Sequence, residues 1–167
     1  MAWSYREAEI TDVPRLQELY VLCRNALWYC TSNLEGLEAG EIAKLVTGKH
    51  LHTVVLEEDG TVIAFVSMWT PKEPIDLAFG DALAIDLVRY AKKREQSDVI
   101  GRVLTAMWRM MKAKGRTKTR ANLRNVLIPS VGLVRGLRAI AEGLPAEEGG
   151  VEVDVDDGIA WGTSEGY

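Results

Sequence analysis

The spacing of apolar positions separates helices from strands along most of this chain. Trp3 to Ala8 alternates as a short strand. Val13, Leu16, Leu19, Tyr20, Cys23, Leu27 and Cys30 then recur every three or four residues, which predicts an amphipathic helix. Thr11 or Asp12 can cap it, and Pro14 falls in its first turn, where a missing N–H costs little. A second helix covers Leu34 to Val46 and stops at Gly48. His52–Glu57 and Thr61–Trp69 are rich in Val, Ile, Phe and Thr and read as strands. Glu58, Asp59 and Gly60 between them signal a hairpin, because Gly accepts the positive φ that such turns need.

Pro71 and Pro74 end the second strand of that hairpin. Ala82 to Tyr90 fits two periods. Leu83, Ile85 and Leu87 alternate as in a strand, while Ala82, Leu83, Asp86, Leu87 and Tyr90 would share a helix face; the context favours a strand. Ser97 or Asp98 then caps a helix that runs from Val99 to Lys114 and is closed by Gly115. Its apolar face is Val99, Ile100, Val103, Leu104, Met107, Met110 and Met111, with the methionines as core packing. Thr119, Ala121 and Leu123 alternate as a strand. Ser130 to Glu142 reads as a helix ended by Gly143, with Gly132 and Gly136 suited to close packing on a sheet. Val151–Val155 and Ile159–Thr163 flank Asp156, Asp157 and Gly158, a second hairpin signal, and Ser164 to Tyr167 reads as a frayed tail. The order β-α-α-β-β-β-α-β-α-β-β predicts one mixed α/β (α+β) domain over residues 1–163, built around a single sheet, with residues 164–167 as the tail.

The 167 residues are 47% hydrophobic and 26% charged, which suits a globular domain and argues against disorder. The apolar runs are short for a membrane span, and no basic, then apolar, secretory leader opens the chain. Cys23 and Cys30 sit seven apart on one predicted helix face, a spacing that suits buried small residues better than a disulfide or a metal site. A reducing cytoplasm, of a cell or of a virus's host, is the expected setting. The net charge of −4 conceals an asymmetry: Arg89 to Arg124 holds twelve Lys or Arg against two acids, Glu95 and Asp98. That is either a solvated helix face balancing acidic neighbours or a patch for a polyanion, a phosphorylated cofactor or a nucleic acid.

One stretch points to chemistry. The predicted strand Ala82–Tyr90 leads through Lys92, Lys93 and Arg94 to Gln96, Ser97, Asp98, Val99, Ile100 and Gly101, and then into a helix. A strand that feeds a polar loop at a helix N-terminus holds phosphates well, since the first helical N–H groups lack partners and the dipole favours an anion. Asp86 is the best-placed carboxylate for a general base, or a solvent-facing strand residue. His50 and His52, at a strand edge, read as surface residues.

These patterns resemble the GCN5-related N-acetyltransferase (GNAT) superfamily. The stretch from Tyr5 to Asp12 is similar to its usual opening, a strand with Arg-x-Ala and a Thr-x-x-Asp-type helix start. The Glu58–Gly60 hairpin sits where the family joins its second and third strands. Gln96 to Gly101 resembles its Gln/Arg-x-x-Gly-x-Gly/Ala loop, with Val99 in place of the first glycine. The resemblance implies acetyl-coenzyme A as co-substrate, no metal, and direct attack of an acceptor amine on the thioester. It puts the pyrophosphate at the amides of Gln96, Ser97, Asp98, Val99, Ile100 and Gly101, with charge added by Lys92, Lys93, Arg94 and Arg102. It puts the thioester beside the backbone of Tyr90 and Ala91. Asn122 or Asn125 could fill the role of the Asn that the family often has near the end of its fifth strand. The family's thiolate-protonating Tyr has no counterpart, which leaves Ser130 as a poor substitute. Some phage proteins, small internal virion proteins among them, resemble acetyltransferases but have degraded cofactor loops. The alternative is therefore a non-catalytic GNAT-like protein, phage-encoded and located in virion or host, whose basic segment binds nucleic acid or a protein. A third reading is an α/β binding module of another fold, in which Ala82 to Gln96 is helical.

Overall fold

The computed structural model describes residues 2–26, 39–73, 75–121, 141–143 and 151–167. Strand β1 (Trp3–Glu7) leads through a short 3-10 turn to helix α1 (Val13–Asn25) and then α2 (Ala39–Thr47). Strands β2 (Leu51–Glu58), β3 (Thr61–Trp69) and β4 (Leu77–Ile85) follow, then the long helix α3 (Lys93–Ala113) and β5 (Lys118–Ala121). The last elements are β6 (Ala141–Gly143), β7 (Val151–Asp154) and α4 (Val155–Ser164). Among the described residues, seven strands form one sheet in the order β1-β2-β3-β4-β5-β7-β6, antiparallel except where β4 meets β5.

The early expectations hold for clear local reasons. Arg6 brackets the carboxylate of Asp12 with two hydrogen bonds of 2.8 Å, and Asp12 accepts the Glu9 N–H at 2.7 Å, so the entry to α1 is fixed before the helix begins. The Arg6 guanidinium holds the Asp12 carboxyl below its usual value against the opposing effect of burial. In the β2–β3 hairpin, Asp59 (φ 49°) and Gly60 (φ 82°) both take positive φ, the backbone of a two-residue turn matched to strand twist.

Strand β3 is buried from Val62 to Met68 without alternation, so both sheet faces are covered. Strand β2 shows by what. Thr53 donates to the carbonyl of Leu45 in α2 at 2.6 Å and takes a hydrogen bond from Ser67, while Leu56, of opposite parity, meets Arg102 and Ala106 of α3. The core therefore sits in two layers: α1 and α2 below the sheet, α3 above it. Cys23 is a buried free thiol whose S–H reaches the Ile85 carbonyl at 3.3 Å; Leu27 and Cys30 lie outside the described residues.

Four expectations are corrected. Strand β4 starts at Leu77 and ends at Ile85, so Leu87, Val88 and Arg89 form a turn. Helix α3 starts at Lys93, six residues before Val99. The stretch from Ala91 to Ile100 holds neither Gly nor Pro but Lys, Lys, Arg, Glu and Gln, good helix formers that extend the helix backwards. The second hairpin is absent: Asp154 accepts the N–H groups of Asp156 (2.9 Å) and Asp157 (3.3 Å), an N-cap that turns Asp156, Asp157 and Gly158 into the first turns of α4. Ala141 and Glu142, expected in a helix, pair with β7; the rest of that expected helix lies outside the described residues.

The C-terminal residues pack rather than fray. Gly158 and Gly162 of α4 lie against Trp108 and Thr105 of α3, where any Cβ would collide. Tyr167 covers Gly101, gives its hydroxyl to Asp98 at 3.1 Å and lends its carbonyl to Arg109 at 3.0 Å. Burial, aided by Asp98, pushes the Tyr167 phenol up to about 12.

Candidate functional site

Strands β4 and β5 run parallel but pair only from Leu77 to Phe79, opposite Lys118 to Arg120. Beyond Phe79, β4 continues to Ile85 with no described partner on that side. The residues that follow β5, 122–140, lie outside the described ones; at the C-terminal end of β4 the turn into α3 begins. In parallel sheets that end is where ligands meet loops and helix N-termini.

Asp86 closes β4 and opens the turn. Its Oδ2 accepts Arg15 Nη2 from α1 at 2.7 Å, and its Oδ1 accepts the N–H groups of Val88 and Arg89, both at 3.1 Å. Burial pushes the carboxyl up, but the Arg89 N–H and the Arg15 guanidinium outweigh it and hold Asp86 below its usual value. Arg15 is itself anchored, its Nε donating to the Val62 carbonyl at 2.8 Å. The expectation of a mid-strand residue is thus corrected: Asp86 is 7% exposed and both its oxygens are engaged.

The far end of the turn is also held. The Tyr90 ring stacks on Trp3 with centroids 6.5 Å apart, and its hydroxyl donates to Glu58 beside the hairpin. Burial and the Glu58 carboxylate raise the phenol, so Tyr90 stays protonated. Gln96 reaches back from α3 with its Nε2 to the carbonyls of Tyr90 (2.9 Å) and Ala91 (3.4 Å). The N-cap of α3 is Lys92, extended at φ −85° and ψ 139° with no side-chain cap. The amides of Lys93, Arg94 and Glu95 have no acceptor inside the helix, whereas the Gln96 N–H already bonds the Lys92 carbonyl at 3.0 Å. Ala91, Lys92, Lys93 and Arg94 are exposed, so open amides and cations without an ion pair among the described residues share one surface at the end of the turn.

The expected loop therefore moves. Gln96 to Gly101 are helical, and their side chains are engaged within the fold. Ser97 donates to the Lys93 carbonyl at 2.9 Å, Val99 and Ile100 are each 1% exposed, Gly101 receives the Tyr167 ring, and Asp98 holds the Tyr167 hydroxyl. Val99 sits in the core, so it cannot crowd a phosphate at the helix end. Arg102 lies one helical stretch away, between the rings of Trp3 (4.5 Å) and Tyr167 (5.2 Å). Of the expected set, Tyr90, Ala91 and Gln96 remain at the turn; Asn122, Asn125 and Ser130 lie outside the described residues. His50 is exposed, and His52, whose ring meets Thr70 Oγ1 at 3.0 Å, is kept low by burial and by Lys114. Sequence reasoning missed Arg15 and the open amides of Lys93 to Glu95. The uninterrupted run of helix formers could have located the latter.

The basic segment is not one patch. Lys112 pairs with Asp156 at 2.7 Å, Lys114 with Glu7 at 2.8 Å and Arg120 with Glu152 at 3.3 Å, while Arg116 donates to the carbonyls of Pro71 and Ile75. Arg89, Lys92, Lys93 and Arg94 remain as the exposed basic cluster at the turn. Among the described residues no group of side chains could hold a metal, and no helix is long and apolar enough to cross a membrane.

No family model and no curated protein matches the chain. Solved structures do. The ribosomal-protein-S18-alanine N-acetyltransferase of Escherichia coli is similar over 92% of this chain and 94% of its own, at 12% identity and a TM-score of 0.62. The PaiA N-acetyltransferase of Thermoplasma acidophilum, in complex with coenzyme A, is similar over 92% and 98%, at 17% identity and a TM-score of 0.59. An acetyltransferase of the GNAT family from Streptococcus pneumoniae is similar over 92% and 96%, at 15% identity and a TM-score of 0.54. At these identities the likeness shows the fold: a mixed α/β architecture of the GNAT acetyltransferase type.

Proposed function

We propose that the protein is an acetyl-coenzyme A-dependent N-acetyltransferase acting on an amine. The observation that carries this reading is the α3 N-terminus. Uncapped amides of Lys93 to Glu95, flanked by exposed Lys92, Lys93 and Arg94, stand past the C-terminal end of β4. Backbone N–H groups and a helix dipole suit a pyrophosphate, and the cations add charge-assisted bonds. The coenzyme A complex of the Thermoplasma neighbour supports the same ligand in this fold.

The chemistry asked of the chain is modest. The amine lone pair attacks the thioester carbonyl, the nitrogen gives its surplus proton to solvent, the C–S bond breaks, and the thiolate leaves and takes a proton from solvent. A thioester is already activated, so positioning and an oxyanion donor supply most of the rate. The backbone from Val88 to Ala91 borders the thioester, and Gln96 keeps that turn in shape. Asp86 acts as a positioning residue: with three donors on its carboxylate and its acidity increased, it holds the turn and takes no proton from the amine.

Calorimetry with coenzyme A tests the reading. The intact chain should bind it, with affinity falling as salt rises, and Lys93→Glu and Arg94→Glu should each weaken binding about tenfold or more. A hundredfold excess over Kd should stabilise the fold by about 2.7 kcal/mol. No binding by the intact chain overturns the proposal.

A further inference from the structure

A separate cavity of about 150 Å³ opens between β1, α3 and the C-terminal residues. Trp3, Tyr5 and Tyr167 supply aromatic walls, Ala106 lies among its lining residues, and Arg102 and Arg109 bring two positive charges. Among the described residues no acidic side chain lines it. It lies away from the α3 N-terminus: Arg102 follows Lys93 by nine positions, about 13 Å along the helix.

Arg102 is held by aromatic rings rather than by an acid. Its guanidinium lies between the rings of Trp3 and Tyr167, which desolvate it. Its Nε is buried with no hydrogen-bond partner, and no ion pair among the described residues involves it. A guanidinium carries five N–H donors, and a buried polar group without a partner is costly. Arg109 gives one N–H to the Tyr167 carbonyl at 3.0 Å and another, at 3.5 Å, to Thr163 Oγ1, which leaves three of its five. A cavity of about this volume accepts a single aromatic ring.

We propose that this cavity binds a small planar carboxylate, about the size of one aromatic ring. The ring lies against Trp3, Tyr5 and Tyr167, and the carboxylate meets Arg102 and Arg109 in the planar geometry that guanidinium groups favour. The site does not depend on acetyl transfer. Trp3 is shared, however: one neighbour is Arg102, the other is Tyr90 at the turn before α3.

The test titrates the intact chain with benzoate, followed by calorimetry and by thermal melting. Saturable binding is expected, at least about tenfold weaker for benzamide, which keeps the shape and lacks the charge. Arg102→Gln should weaken benzoate binding by a similar factor. Arg109→Gln should do so several-fold, and it keeps the test decisive if Arg102→Gln fails to fold. Three outcomes would overturn the proposal: no saturable binding up to about 20 mM benzoate, benzamide or inorganic phosphate binding as well as benzoate, or unchanged affinity in the folded arginine variants.

Discussion

Arg15 of α1 and Asp86 at the end of β4, 71 residues apart in sequence, meet at 2.7 Å and join the first helix to the turn that precedes α3. The carboxylate also takes the Val88 and Arg89 N–H groups, so one side chain holds a helix, a strand end and a turn. Asp86→Asn keeps the shape but removes the charge, and should cost about 1–3 kcal/mol, read as a melting temperature lowered by several degrees. The folded carboxyl titrates below the ordinary 3.8. Its contribution is therefore complete above that value and is lost as pH falls through the lowered folded pKa. The gap in melting temperature between wild type and Asp86→Asn should be constant near neutrality and shrink in acid. If the variant's only defect is loss of the acidic limb in a pH–rate profile, Asp86 is a base and not an anchor.

Gln96 supplies the second test of the turn. Its amide donates to the Tyr90 and Ala91 carbonyls, and Ala is the best helix former. Gln96→Ala should leave the melting temperature within a degree or two and weaken coenzyme A binding about fivefold, the loss of one ordinary hydrogen bond's worth of organisation. Calorimetry on the variant measures this directly.

Val99 was expected at the phosphates, and the structure puts it in the core at 1% exposure. Val99→Gly should not improve coenzyme A affinity. It removes a buried side chain and places glycine inside a helix, together about 3 kcal/mol of stability. Chemical denaturation would show a lower midpoint at an unchanged slope.

Glycines in two helices should respond in opposite directions. Gly158 faces the Trp108 ring, so Gly158→Ala overpacks the contact between α4 and α3 and should cost about 1–3 kcal/mol despite better helix propensity. Gly40 in α2 has open space around it, and Gly40→Ala should stabilise by about 0.4–1 kcal/mol. Thermal melts of the two variants beside the wild type separate packing from propensity.

The sequence by itself determined much of the frame. Period and turn chemistry located β1, α1, β2 and β3, because each depends on neighbours a few residues apart: Pro14 in the first turn of α1, and Asp59 with Gly60 at positive φ; Asp12, expected as a cap, instead turns its carboxylate back to Arg6 and Glu9. The family resemblance was legible in that order, and the fold agrees with it. The candidate site was less legible. A helix start is a competition between caps, and Ser97 and Asp98 have the right chemistry to win it, yet their side chains bond Lys93 and Tyr167 within an already formed helix. Asp156, Asp157 and Gly158 read as a hairpin until Asp154 caps them and their helix finds a groove of Thr105 and Trp108. The Arg15–Asp86 pair and the aromatic bracket around Arg102 join residues far apart in the chain. Such contacts leave no local period, so only the folded sheet, with helices on both its faces, decides them.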